Sequence, residues 1–64
     1  MKLLRAESVA QKLDMHRTTV FSLSRRDTTF PKPIKLSSRY TAWVESEIDA
    51  WVLTRKQETA NESR

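Results

Sequence analysis

The sequence contains no cysteine, no glycine and one histidine, and these absences exclude most catalytic chemistry. Without cysteine the chain forms no disulfide and offers no thiolate to a metal or a substrate, which suits a reducing cytoplasm. Without glycine it has no glycine-rich loop for nucleotide phosphates. His16 alone is too little to build a metal site or a nucleophile and its base. We therefore expect a protein without enzymatic activity, metal or cofactor.

Long apolar runs are also missing from the chain. Residues 1–5 contain only two consecutive leucines, so we expect neither a signal peptide nor a membrane-spanning segment. The chain has 64 residues with an aliphatic and aromatic share of 38%, which is enough apolar surface for one small core but not for two. The sequence predicts one cytoplasmic domain with a thin core.

Positive charge is concentrated in the first two thirds of the chain. Residues 1–44 carry nine Lys and Arg against three Asp and Glu, whereas residues 45–64 carry three against five. A one-sided basic field favours a polyanionic partner, because binding releases condensed counterions. Basic residues that only keep a small domain soluble explain the same composition. Charge alone therefore leaves both interpretations open.

Two short helices joined by a tight turn are predicted next. Residues 6–13 place apolar side chains at i, i+3, i+4 and i+7, and a second amphipathic stretch runs from His16 to about Arg26. Asp14 lies between them, and Asp tolerates the left-handed conformation that such a turn requires. Two short helices with so short a connection cross steeply, which predicts a helix-turn-helix.

A small hairpin is predicted after a loop at residues 27–29. Pro31 and Pro33 exclude a helix and favour extended chain before each proline. Residues 34–36 and 39–43 are rich in strand-forming side chains. We expect these two segments to pair as a hairpin, or wing.

A third helix is predicted to begin near Ser46 and to pack through Ile48 and Trp51, which repeat at helical spacing. Ser46 and Asp49 have the spacing of a capping box. The predicted helix start also carries three acidic residues, which are a candidate metal cluster but more typically serve as caps and as partners of the helix dipole. These are Glu45, Glu47 and Asp49.

The last residues lack large apolar side chains. Arg55 and Lys56 suit the negative end of the third helix dipole. Beyond Gln57 we expect fraying or disorder, because nothing there contributes to a core. The sequence therefore predicts a folded domain at residues 1–57 and a disordered tail at residues 58–64.

Four stretches of the chain together resemble a known family: residues 9–10, 17–21, 30–36 and 43–51. They are similar to the AlpA-like phage regulators, relatives of excisionases and of the DNA-binding domain of MerR regulators, and the resemblance covers roughly residues 4–56. It implies a mainly α winged helix-turn-helix with three helices and a small β-hairpin.

This chain departs from the family pattern at two places. The family commonly has Gly, a hydrophobe and Ser where this chain has Asp14, Met15 and His16, and it has glycine at the wing tip, where a looser turn than a two-residue hairpin is expected here.

The fold implied by the resemblance places the second helix in the DNA major groove. Arg17 and Thr18 are our candidates for base contacts, since Arg chelates guanine and a Thr methyl contacts thymine. A solvated helix surface is the alternative. The candidate contacts of this helix are His16, Arg17, Thr18, Thr19, Ser22, Arg25 and Arg26, the last three placed for phosphates.

The wing supplies a second set of candidate contacts, to flanking phosphates or the minor groove. A soluble edge strand explains the same lysines, because charge on an edge also blocks aggregation. The wing candidates are Lys32, Lys35, Ser37, Ser38 and Arg39.

The function that these features imply is sequence-specific binding of double-stranded DNA, to regulate a prophage promoter or to bend DNA during excision. Possible partners are RNA polymerase, a phage integrase and further copies of the chain on DNA, and the bound protein would lie in the nucleoid. A protein-interaction module that uses the helix-turn-helix face is one alternative. Binding of RNA or single strands is another. It requires exposed aromatic rings, whereas the thin core of this domain needs its aromatic rings buried.

Overall fold

The computed structural model describes residues 1–62. Its elements, in chain order, are β1 (Leu3–Leu4), α1 (Ala6–Leu13), α2 (Arg17–Arg26), β2 (Ile34–Ser37), β3 (Tyr40–Val44) and α3 (Glu45–Glu62). This is a mainly α winged helix-turn-helix, which confirms the predicted fold class. Within residues 1–62, no helix has both the length and the apolar character of a membrane span.

The turn between α1 and α2 follows the prediction closely. Asp14 is left-handed, with φ 56° and ψ 52°, and the next N–H, of Met15, donates to the Ala10 carbonyl oxygen at 2.9 Å. This bond closes α1 and frees the chain to change direction. His16 is the N-cap of α2 but makes no side-chain capping bond. The first turn of α2 is closed by backbone hydrogen bonds without a side-chain cap, with Thr19 N–H donating to the His16 carbonyl oxygen at 3.0 Å.

The sheet has three antiparallel strands in the order β1-β3-β2. The β2–β3 hairpin confirms the predicted wing, but β1 was missed, since two leucines carry no strand periodicity. Leu3 pairs with Val44 and Leu4 with Trp43. The Lys2 carbonyl oxygen also accepts the Glu45 N–H at 2.9 Å.

The wing turn corrects one expectation. Ser37 pairs with Tyr40, so only Ser38 and Arg39 connect β2 to β3, and the turn is not looser than a two-residue hairpin. Neither residue has a positive φ, because Asp14 alone has one among the described non-glycine residues. The register shifts between Lys35 and Ser37, so the hairpin has a bulge-like irregularity in β2 and closes without glycine.

The third helix begins within one residue of its predicted start near Ser46, but its predicted cap and its predicted end are wrong. α3 begins at Glu45, so Ser46 lies inside the helix and the capping box does not form. The reason is that β3 continues into α3 without a loop and Lys2 satisfies the Glu45 N–H. The helix also continues past Gln57 to Glu62, because residues 58–62 contain no helix breaker and include strong helix formers. Residues 63 and 64 of the predicted tail lie outside the described residues, and the domain boundary at residue 57 stays a prediction.

The core forms where α1, α2, the sheet and the first half of α3 meet. Its largest fully buried side chains are Trp43, Phe30, Ile48, Val9 and Val20. Two aromatic pairs extend it with edge-to-face geometry: Phe21 against Trp43 at 5.8 Å, and Phe30 against Trp51 at 4.9 Å between ring centroids. Trp51 is only partly buried, so Trp43 is the main aromatic anchor.

Candidate nucleic-acid interface

The first turn of α2 presents an exposed polar surface beside a buried one. Val20 is fully buried, and this fixes the helix rotation so that Arg17, Thr18 and Thr19 are exposed. His16, just before them, is exposed as well. These four predicted site residues therefore form one continuous surface at the N-terminal end of α2.

The C-terminal end of α2 carries the remaining predicted contacts. Arg25 and Arg26 are exposed, while Ser22 is half-buried. Since α2 has ten residues, its two ends lie about 15 Å apart. The structure thus separates Arg25 and Arg26 from the surface at Arg17.

All five residues that the sequence predicted as DNA contacts of the wing are exposed. The exposed residues are Lys32, Lys35, Ser37, Ser38 and Arg39. Lys32 differs from the others in position. It lines a surface groove of about 750 Å³ between residues 29–34 and α3, and it is not brought together with the start of α2.

Arg39 and Arg17 are brought together, and with them a residue that sequence analysis missed. Arg5, Arg17 and Arg39 line one open cleft of about 220 Å³, together with Glu7. The Arg5 guanidinium carbon lies 4.7 Å from the centroid of the Tyr40 ring. Arg5 stands alone in an extended segment before α1, so periodicity offered no signal for it.

A polar cluster ties the loop after α2 to α3. Asp27 Oδ1 accepts the Thr29 N–H at 2.9 Å and its hydroxyl at 2.6 Å, and Arg55 Nη2 donates to Asp27 Oδ2 at 2.7 Å. The hydrogen bonds from Thr29, and then Arg55, lower the pKa of Asp27 below its usual value. Trp51 Nε1 donates to Thr29 Oγ1 at 3.2 Å. Arg55 is therefore an ion-pair partner in mid-helix and not the dipole partner at a helix end that the sequence predicted.

The acidic residues at the start of α3 have a partner in α1. Lys12 Nζ lies 3.4 Å from Glu45 Oε2 and 3.0 Å from Asp49 Oδ1. The hydrogen bond to Asp49 is the main reason why the pKa of Lys12 is raised above its usual value. Within the described part of the chain, no group of His, Cys, Asp and Glu is arranged to hold a metal ion. These partly exposed ion pairs link α1 to the start of α3.

Comparison with known proteins matches this architecture to one family. The family described as Prophage CP4-57 regulatory protein (AlpA) matches residues 2–56. The protein named DNA-binding transcriptional activator AlpA, from Escherichia coli (strain K12), is 37% identical over 60 residues, which cover 86% of each chain. No solved structure gives a significant match. Since the family match spans both helices of the helix-turn-helix, the wing and most of α3, this chain belongs to the AlpA family of prophage regulatory proteins.

Proposed function

We propose that this chain is a sequence-specific double-stranded DNA-binding regulator of a prophage, acting in the cytoplasm without catalytic activity. The observation that carries the proposal is the junction of two exposed basic elements, the start of α2 and the wing, at one cleft. A helix of this kind enters the major groove while a basic hairpin follows the flanking backbone. The name of the Escherichia coli relative supports the same function.

Within this proposal the two ends of α2 have different roles. Arg17 and Thr18 contact base edges, because their side chains are exposed in the first turn of the helix. His16 and Thr19 flank them. Arg25 and Arg26, with the half-buried Ser22, contact phosphates and set the position of the helix. In this proposal, specificity is set at the N-terminal end of α2 and orientation at its C-terminal end.

The wing contributes phosphate contacts. Lys35, Ser37, Ser38 and Arg39 are exposed on or beside the hairpin, and none needs to reach a base to bind the backbone. Lys32, in the groove next to α3, is the weakest member of the set. We assign it a longer-range electrostatic contribution, which grows weaker as salt screens it.

The burial of the aromatic side chains favours duplex DNA over RNA or single strands. Trp43 and Phe30 are buried, and the Trp51 indole is bonded to Thr29. Tyr40, 44% exposed, is covered on one side by Arg5. The described surface therefore offers little on which successive bases can stack.

Regulation of transcription is the use that we propose first, because the Escherichia coli relative is named as an activator. Contact with RNA polymerase is then the partner interaction to test, and cooperative binding of several copies would show as a steep binding curve. An excisionase would instead bend its site and contact an integrase. A bending assay with permuted duplexes distinguishes the two uses.

The experiment that tests DNA binding is the selection of bound duplexes from a random pool. We expect enrichment of a short motif, and affinity for it that falls steeply with salt. A protein-interaction module would enrich no motif and would show little salt-dependent binding to any duplex. Preferential capture of single strands or RNA in a parallel selection would contradict the proposal and favour binding of RNA or single strands.

A further inference from the structure

We propose that Arg5, Arg17 and Arg39 form a binding site for one phosphodiester group of the DNA backbone, and that Glu7 occupies this site in the free protein. The inference rests on the proposed function and adds to it a DNA contact, Arg5, and an internal competitor, Glu7. We refer to the site as the arginine cleft.

The three arginines reach the cleft from three different elements. Arg5 lies in the extended segment before α1, Arg17 opens α2, and Arg39 lies in the turn of the wing. Ala6, Phe21 and Thr41 also line the cleft, whose volume is about 220 Å³. Guanidinium groups offer several N–H donors in one plane, which suits the oxygens of a phosphate. A phosphate in the cleft would contact the recognition helix and the wing at once. The guanidinium of Arg17 has five N–H donors, so those that do not face the phosphate remain available for the proposed base contact.

Arg5 is held in place before any ligand arrives. Its guanidinium carbon lies 4.7 Å from the Tyr40 ring centroid, close enough for a cation–π interaction. Among the ion pairs of the described residues, neither Arg5 nor Arg39 has a carboxylate partner. The charges of Arg5 and Arg39 are thus free for an external anion, and Tyr40 of the wing orients Arg5.

Glu7 is the one carboxylate in the cleft. Its Oε2 lies 3.7 Å from Arg17 Nη1, and the two side chains are 78% and 60% exposed. An ion pair this exposed contributes little to stability, so a phosphate oxygen can replace the carboxylate without a large loss. Until then Glu7 reduces the positive field of the cleft. Because backbone phosphates are alike at every sequence, this reduction weakens binding to all duplexes and limits non-specific association.

The first test compares Arg5→Ala with Lys56→Ala, which removes the same charge from an exposed position on α3. For Arg5→Ala we expect affinity near 0.1 M salt to fall about fivefold to tenfold on selected and random duplexes alike, and the slope of log affinity against log salt to shrink by about one unit. Lys56→Ala should change both quantities much less. Equal effects of the two variants would overturn the assignment of Arg5, and unchanged thermal unfolding checks that both are folded.

The second test compares Glu7→Gln with Glu47→Gln, an exposed glutamate outside the arginine cleft. We expect Glu7→Gln to bind selected and random duplexes about twofold to fivefold more tightly, because the substitution removes a negative charge from the proposed phosphate site. Glu47→Gln should have a smaller effect. If Glu7→Gln bound duplex no more tightly than Glu47→Gln, the role of Glu7 as competitor would be wrong.

Titration with inorganic phosphate, followed by amide NMR shifts, separates a backbone phosphate from a free anion. We expect only weak shifts around residues 5, 7, 17 and 39 in the wild-type protein. Strong phosphate binding that Arg5→Ala abolishes, with duplex binding unaffected by that variant, would identify a small-anion site and overturn our inference. Failure of the wild-type protein to bind any duplex would instead refute the proposed function itself, so the two failures are distinguishable.

Discussion

Trp43 is fully buried on β3, with Phe21 of α2 packed edge-to-face against it. Its indole N–H has no hydrogen-bond partner among the described residues, and an unpaired buried donor costs about 1–3 kcal/mol. Trp51, by contrast, is partly buried and its N–H is bonded to Thr29. The two tryptophans therefore differ in what their removal should do.

Trp43→Ala should lower the free energy of unfolding by about 3–5 kcal/mol, which leaves little or no stability in so small a domain. Trp43→Phe keeps most of the ring packing and removes the unpaired N–H, so we expect a loss of only about 1–2 kcal/mol. Trp51→Ala should fall between them. Urea unfolding followed by circular dichroism measures all three, and a Trp51→Ala variant less stable than Trp43→Ala would contradict the ranking.

The loop after α2 depends on an ionised carboxylate for its attachment to α3. Asp27 accepts two hydrogen bonds from Thr29 and pairs with Arg55, and its side chain is 16% exposed. These contacts lower the pKa of Asp27 from the ordinary value of 3.8. The stabilisation is therefore fully present above pH 3.8, the unfolded value, and is lost as the pH falls through the lower folded pKa.

Asp27→Asn should reduce stability at neutral pH, because it removes the ion pair with Arg55. It should also flatten the fall in melting temperature below about pH 4, since the variant has no proton to bind at this position. The matched control is Asp14→Asn, which keeps a residue that tolerates the left-handed turn. Melting temperatures measured between neutral and acidic pH test this. A curve for Asp27→Asn parallel to that of the wild type would contradict the stabilising role of the carboxylate.

The second half of α3 is helical but adds little to the core. Residues 52–60 are exposed, and the Arg55–Glu58 pair, at 3.3 Å, is exposed on both sides. Packing of an apolar face, not propensity, supplies most helix stability in small domains. The end of α3 should therefore contribute helical signal without contributing much to folding.

Truncation after Gln57 should lower the helical circular dichroism signal and leave the melting temperature nearly unchanged. Duplex affinity should stay the same or rise slightly, because the deletion removes Glu58 and Glu62 and only one basic residue, Arg64. Truncation after Asp49, which also removes Trp51, should abolish cooperative unfolding. A large loss of duplex affinity in the first truncation would show that these residues contact DNA or a second copy of the chain.

The molecule combines a helix that we propose to select sequence with a wing and cleft that we propose to hold the backbone. Its extents are 45 × 24 × 21 Å, and the basic side chains named in this proposal belong to the helix-turn-helix and wing, while most acidic residues lie on α3. The field of the whole chain is therefore directional. This arrangement favours approach to DNA with the helix-turn-helix and wing foremost.

Thr18→Ala and Arg39→Ala should weaken DNA binding in different ways. Thr18→Ala should cost about 1–3 kcal/mol on the selected site, leaving random-duplex affinity and the salt slope unchanged. Arg39→Ala should reduce affinity by a similar factor on both duplexes and shrink the slope by about one unit. Thr54→Ala and Lys56→Ala on α3 are the matched controls. Equal losses on selected and random duplex for both variants would refute the division between helix and wing.

Local interactions were enough to predict most of the fold. The bounds of α1, the left-handed Asp14 and the end of α2 follow from side-chain periodicity and turn chemistry within a few residues. The proline-bounded hairpin follows in the same way. The resemblance to the AlpA family could also be stated from the sequence, because its motifs are short and contiguous. The exposed residues of α2 and the wing were predictable as a set for the same reason.

Packing between distant segments determined the rest. β1 exists because Leu3 and Leu4 find a partner in β3, and α3 starts at Glu45 because Lys2 satisfies its N–H. Residues far apart in the chain also form the ion pair between Asp27 and Arg55. The same is true of the cleft where Arg5 lies beside the start of α2 and the wing. No periodicity encodes such pairs, since each depends on where the completed core brings the segments together.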